Sequence, residues 1–138
     1  MSIVLGYDES PGAKRALTMA ITIAKTFDEP LVLVYGVAPP GGLGEEFTSH
    51  EAALAEMAKS ALDHAVEEAS AAEVETRVEV RPEKPAQALL TSADAHDARV
   101  IVVGTWGESP LRGAMLGSTP HKLLHLSSRP ILCVPAAE

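Results

Sequence analysis

The segment from Gly104 to Thr119 carries the residue types best suited to chemistry in this chain. Gly104, Gly107 and Gly117 supply backbone with no side chain in the way, Ser118 and Thr119 supply hydroxyls, and Arg112 supplies a cation. An apolar run, Val100 to Val103, precedes the segment, and a short helical stretch from about Pro120 to Leu126 follows it. Glycine lets backbone N–H groups approach a phosphate and permits positive φ. A helix N-terminus adds unpaired N–H groups and the positive end of a dipole. The chemistry implied is the holding of an anion, a phosphate above all. A plainer reading of the same residues is a strand-to-helix loop with glycines at its turns and Thr119 as N-cap.

Two phosphate motifs are absent. No glycine is followed by lysine, so there is no G-x-x-x-x-G-K-[ST] loop, and no G-x-G-x-x-G occurs. Gly41, Gly42 and Gly44 do not directly join a strand to a helix and read as a flexible loop. Trp106 reads either as a lid over a ligand or as an exposed packing residue.

Asp8 is the second candidate. It follows the apolar run Ile3 to Tyr7, in the turn that ends it. Ser10 is placed to cap a helix whose first position is Pro11. Asp8 and Ser10 read as a ligand contact and a cap rather than a catalytic pair. His121 and His125 share one helical face, but no third metal donor is evident, so they read as surface or packing histidines. No G-x-S-x-G elbow is present.

Composition removes whole classes of function. The formal net charge is -8 with no basic run, which excludes nucleic acid and a polybasic membrane contact. No apolar stretch approaches the roughly 18 to 20 residues of a membrane span. The chain starts directly on a strand without a charged leader, and Cys133 is its one cysteine, so a cytoplasmic location is expected. Cys133 lies in an apolar run, Ile131 to Val134, and reads as an inert core thiol.

The elements that must position these residues follow from periodicity. Strands are expected at Ile3 to Tyr7, Leu31 to Val37, Glu75 to Val80 (an edge), Val100 to Val103 and Ile131 to Val134. Helices are expected after Pro11, from about Glu46 to Ala72, from Pro85, and from about Pro120 to Leu126. Leu17, Ala20, Ile21 and Ala24 form one inner stripe; Leu54, Met57, Ala61 and Ala65 form the second; Ala86, Leu89, Leu90 and Ala93 form the third. Strictly alternating strands and helices, in 138 residues without a linker, predict one α/β domain over 1–138 with a parallel sheet covered on both faces.

The spacing Gly104, two residues, Gly107, nine residues, Gly117-Ser118 resembles the G-x2-G-x9-G-[ST] signature of the universal stress protein family. The opening run through Asp8, the second strand, Val100 to Gly104 and the last strand are similar to the family's strands in order. The resemblance implies a doubly wound five-stranded parallel sheet, order 3-2-1-4-5, that binds an adenine nucleotide, as members with this glycine pattern bind ATP. It places Gly6 and Asp8 at the first strand's end, with Asp8 toward the ribose or a metal such as Mg²⁺. It places Gly36 and Val37 against adenine. It places Gly104, Thr105, Trp106, Gly107, Arg112, Gly117, Ser118 and Thr119 around the ribose and phosphates. It also implies a homodimer paired through the last strand. An ATP-binding stress or signalling protein is the expected function; a slow ATPase and a nucleotide-independent dimeric interaction protein are the alternatives.

Overall fold

The computed structural model describes residues 1–8, 10–36, 45–105 and 116–136, and side chains within 45–55 and at 57 lie outside the description. The element order is β1 (Ser2–Gly6), α1 (Pro11–Phe27), β2 (Leu31–Gly36), α2 (Glu45–Ala71), β3 (Thr76–Arg81), α3 (Pro85–Ala95), β4 (Ala98–Gly104), α4 (Ser118–Leu126) and β5 (Ile131–Val134). The strands form one parallel sheet in the order β3-β2-β1-β4-β5, as expected.

The inner positions of the central strands, Ile3 to Leu5, Leu31 to Val34 and Val100 to Val103, are apolar because both faces of those strands are covered. Side chains alternate between the faces. On one face Ile3, Leu5, Leu31, Leu33 and Val102 pack against Leu17, Ala20, Ile21 and Ala24 of α1 and Ala61, Leu62 and Ala65 of α2. On the other, Val4, Val32, Val34, Ile101 and Val103 meet Leu89 and Ala93 of α3 and Leu123 of α4. The stripes read from helical spacing are therefore the buried ones; Leu54 and Met57 lie outside the described side chains.

The edge strand β3 departs from simple alternation. Val78 pairs with Leu33 and shares its face, yet Val78 and Val80 are 48% and 43% exposed. An edge position has a neighbour on one side only. Glu79, pointing to the α3 face, is instead half-buried among Ser92, His96 and Arg81.

The start of α4 also differs from expectation. Gly117 is its N-cap, with φ -62 and ψ 163, and Ser118 is already helical. Thr119 is thus inside the first turn rather than the cap. Pro120 fits there because the first-turn N–H groups have no intrahelical acceptor to lose.

Candidate functional site

Strands β1 and β4 are neighbours in the sheet, but their outgoing connections diverge. α1 packs on one face through Leu17, and α4 packs on the other through Leu123. A crevice therefore opens beyond the C-terminal ends of β1 and β4, the position where α/β sheets hold ligands. The parallel sheet also sets the N-termini of α1 and α4 at this edge, and a helix N-terminus favours an anion.

Asp8 leaves β1 into this crevice. Ser10 donates to its Oδ1 twice, from the backbone N–H at 3.0 Å and from the hydroxyl at 2.6 Å. The same hydroxyl oxygen accepts from the N–H of Ala13 at 3.2 Å, which makes Ser10 the N-cap of α1 with Pro11 in the first turn. Asp8 is exposed, and Ser10 is only 2% exposed.

The two ends of the glycine-bearing segment are brought together. Gly117 N–H donates to Thr105 O at 2.7 Å, and Thr105 N–H donates to Val134 O at 3.1 Å. Gly104 ends β4 against the start of α1: a Cβ there would lie 3.0 Å from the carbonyl carbon of Gly12 and 3.3 Å from Ala13 N. The N-terminus of α4 carries no side-chain cap and no acidic residue in its first turn. Ser118 and Thr119, exposed and half-buried, stand on that turn. Such a terminus can accept an anion.

Gly6 and Gly36 have a packing reason for being glycine. A Cβ on Gly6 would lie 3.0 Å from Leu89 Cδ1. One on Gly36 would lie 2.9 Å from Glu83 O, Pro85 Cα and Ala88 Cβ. Both residues still bring bare backbone to the C-terminal edge, where a ligand could meet it. Val37, Trp106, Gly107 and Arg112 lie outside the described residues. Of the sequence-derived candidates, the fold thus gathers Gly6, Asp8, Gly36, Gly104, Thr105, Gly117, Ser118 and Thr119 at one sheet edge.

The double hydrogen bond from Ser10 to Asp8 was not read from the sequence. The signal available was an Asp followed two residues later by Ser, the spacing of a side-chain-closed turn. His121 and His125 stack edge to face at 4.7 Å between ring centroids, and both are exposed. Among the described residues no three His, Cys, Asp or Glu side chains are grouped to hold a metal ion, and no helix is long and apolar enough to cross a membrane.

Comparison with known proteins adds to this geometry. The profile described as universal stress protein family matches residues 1–135. A universal stress protein of Thermus aquaticus is 32% identical, with 96% of this chain and 97% of that protein aligned. One of Mycobacterium tuberculosis is 33% identical over 96% of this chain but only 47% of its own length. The chain thus spans about half the length of several curated relatives that it matches. Among solved structures, a universal stress protein in complex with cAMP superposes with TM-score 0.72 at 27% identity, covering 99% of this chain and 98% of that one. The Archaeoglobus fulgidus protein in complex with dAMP has the same fold, with TM-score 0.72 at 23% identity and 97% of each chain covered.

Proposed function

Because this chain belongs to the universal stress protein family, we propose that it binds an adenine nucleotide, ATP foremost, in the crevice beyond β1 and β4. The observation that carries this reading is the α4 N-terminus, free of any side-chain cap and tied through Gly117 and Thr105 to the end of β4. That arrangement presents backbone N–H groups to a phosphate at the switch point of the sheet. The related proteins in complex with cAMP and dAMP support the adenine-nucleotide class.

In this reading Gly104, Thr105, Gly117, Ser118 and Thr119 hold the phosphates. Trp106, Gly107 and Arg112 complete that wall. Asp8 takes the ribose or an accompanying Mg²⁺, and Gly6, Gly36 and Val37 line the base by backbone. Binding alters a partner surface, so the output is nucleotide-dependent signalling in the cytoplasm under stress. Two copies pair through β5, whose outer side is a sheet edge. Leu124 and Leu126 of α4, which packs on β5, are exposed and would add apolar area to that contact.

The test is thermal unfolding with ATP and Mg²⁺. Ligand at one hundred times its Kd stabilises the fold by about 2.7 kcal/mol, and the melting temperature should rise accordingly. No shift at millimolar ATP, with no nucleotide in an acid extract of the purified protein, would overturn the reading and leave the nucleotide-independent dimer in its place.

A further inference from the structure

We propose that His121 and His125 form a binding site for a divalent cation of the zinc class, separate from the nucleotide crevice and from any Mg²⁺ that accompanies the nucleotide. The two residues stand four apart on α4, so both project from one side of the helix. Their ring centroids are 4.7 Å apart, with the ring planes at 68°. Two imidazoles that share one zinc through nitrogens about 2.0–2.1 Å from the metal have centroids roughly 5 Å apart. The rings are thus already at the separation that a shared metal sets. Turning a nitrogen of each toward a common point takes only rotation about χ2, a soft torsion, and no change in the helix.

The backbone beneath the pair is held in place. Pro120 and Leu123 are the buried residues of α4, and Leu123 packs in the core on the α3 side of the sheet. Both histidines are exposed, so a cation reaches them without disturbing that core. His125 lies in the last turn of α4, where the negative end of the helix dipole favours a cation. The net charge of -8 draws cations to the surface as well. Imidazole nitrogen suits zinc, copper or nickel, whereas Mg²⁺ takes oxygen donors. Among the described residues no third His, Cys, Asp or Glu joins the pair, so water fills the other positions. A structural zinc takes four protein donors; a cation held by two is exchangeable.

The experiment is isothermal titration of the full chain, free of nucleotide and chelator, with zinc chloride and separately with magnesium chloride. The native chain should bind Zn²⁺ at least about tenfold more tightly than Mg²⁺. His121→Ala and His125→Ala should each weaken Zn²⁺ by at least about tenfold, because a two-point chelate is cut to one bond. Both positions are exposed and alanine is a strong helix former, so both variants should fold, and a melting curve checks this. His64→Ala on α2 and Cys133→Ala on β5 should keep the native affinity. Undiminished Zn²⁺ binding in folded His121→Ala or His125→Ala overturns the inference. Loss of binding in Cys133→Ala overturns it too, by assigning the metal to the thiolate. So does a native chain that takes up no Zn²⁺ at submillimolar concentration. Every arm is read without nucleotide, so none of these failures touches the adenine-nucleotide reading.

Discussion

Gly36 lies so close to Pro85 that a Cβ on Gly36 would come within 2.9 Å of the Pro85 Cα. The end of β2 and the start of α3 touch backbone to backbone, and Glu83 O and Ala88 Cβ close the same space at 2.9 Å. Gly36→Ala should therefore destabilise the fold by about 1–3 kcal/mol, the usual cost of overpacking a rigid contact. Denaturant unfolding without nucleotide checks it; a variant as stable as the native chain would contradict the close approach.

Gly117 offers the contrast. Its φ of -62 is one that any residue adopts, so no backbone strain demands glycine there. Gly117→Lys should retain the fold, apart from a small loss of capping preference, and weaken ATP at least about tenfold by filling the phosphate space. Titration calorimetry beside a melting curve separates the two effects. Unchanged ATP affinity would count against the crevice as the site.

Glu79 should make the fold sensitive to acid. Burial disfavours its charge, but hydrogen bonds from Ser92, His96 and Arg81 outweigh burial and bring its pKa from 4.5 to about 2. A carboxylate whose folded pKa is depressed contributes stability that is full above its unfolded value and lost as pH falls through the folded one. The loss should fall between pH 4.5 and about 2. Glu79→Gln should flatten that dependence and lower stability at neutral pH by about 1–3 kcal/mol; an unaltered acid profile would refute the role.

Glu29 and Arg99 join the end of α1 to β4. The Arg99 Nε lies 3.0 Å from both Glu29 oxygens, its Nη2 lies 2.6 Å from Oε1, and its guanidinium sits 4.1 Å over the Phe27 ring. The hydrogen bond from Arg99 holds the Glu29 pKa below 4.5. This pair too favours folding above the ordinary carboxylate range and ceases to do so as Glu29 protonates. Arg99→Lys keeps the charge but loses the planar fork and the stacking. Glu29 should then titrate nearer its ordinary value by carboxyl NMR.

Cys133 is half-buried on β5 beside Ile131, and desolvation raises its thiol pKa. Thiolate is the reactive form. Iodoacetamide at neutral pH should label the native chain much more slowly than the chain in denaturant; equal rates would show an open β5.

The strands and inner stripes of this protein were legible because periodicity is a local property. The apolar runs at β1, β2, β4 and β5, the Ser10 cap with Pro11, and the stripe from Leu17 to Ala24 required only near neighbours in the chain. The glycine spacing from Gly104 to Gly117 likewise marked the candidate site before any contact was known. The cap of α4 was misplaced at Thr119 because glycine, serine and threonine in a row are all acceptable caps. The backbone bond from Gly117 to Thr105 accompanies the observed start.

Contacts between distant residues could not be read in the same way. Glu79 meets Ser92 and His96 at separations of 13 and 17 residues, and Glu29 meets Arg99 across 70. The sequence by itself determined which segments are strands and helices and which residues could hold a phosphate. Only the tertiary structure decided that Gly36 is glycine because α3 leaves no room for a side chain, and that Gly104 ends β4 against Gly12 at the start of α1. The physical reason is that propensity and period act within a few residues, whereas close approach and shared hydrogen bonds exist only once the sheet has set its neighbours side by side.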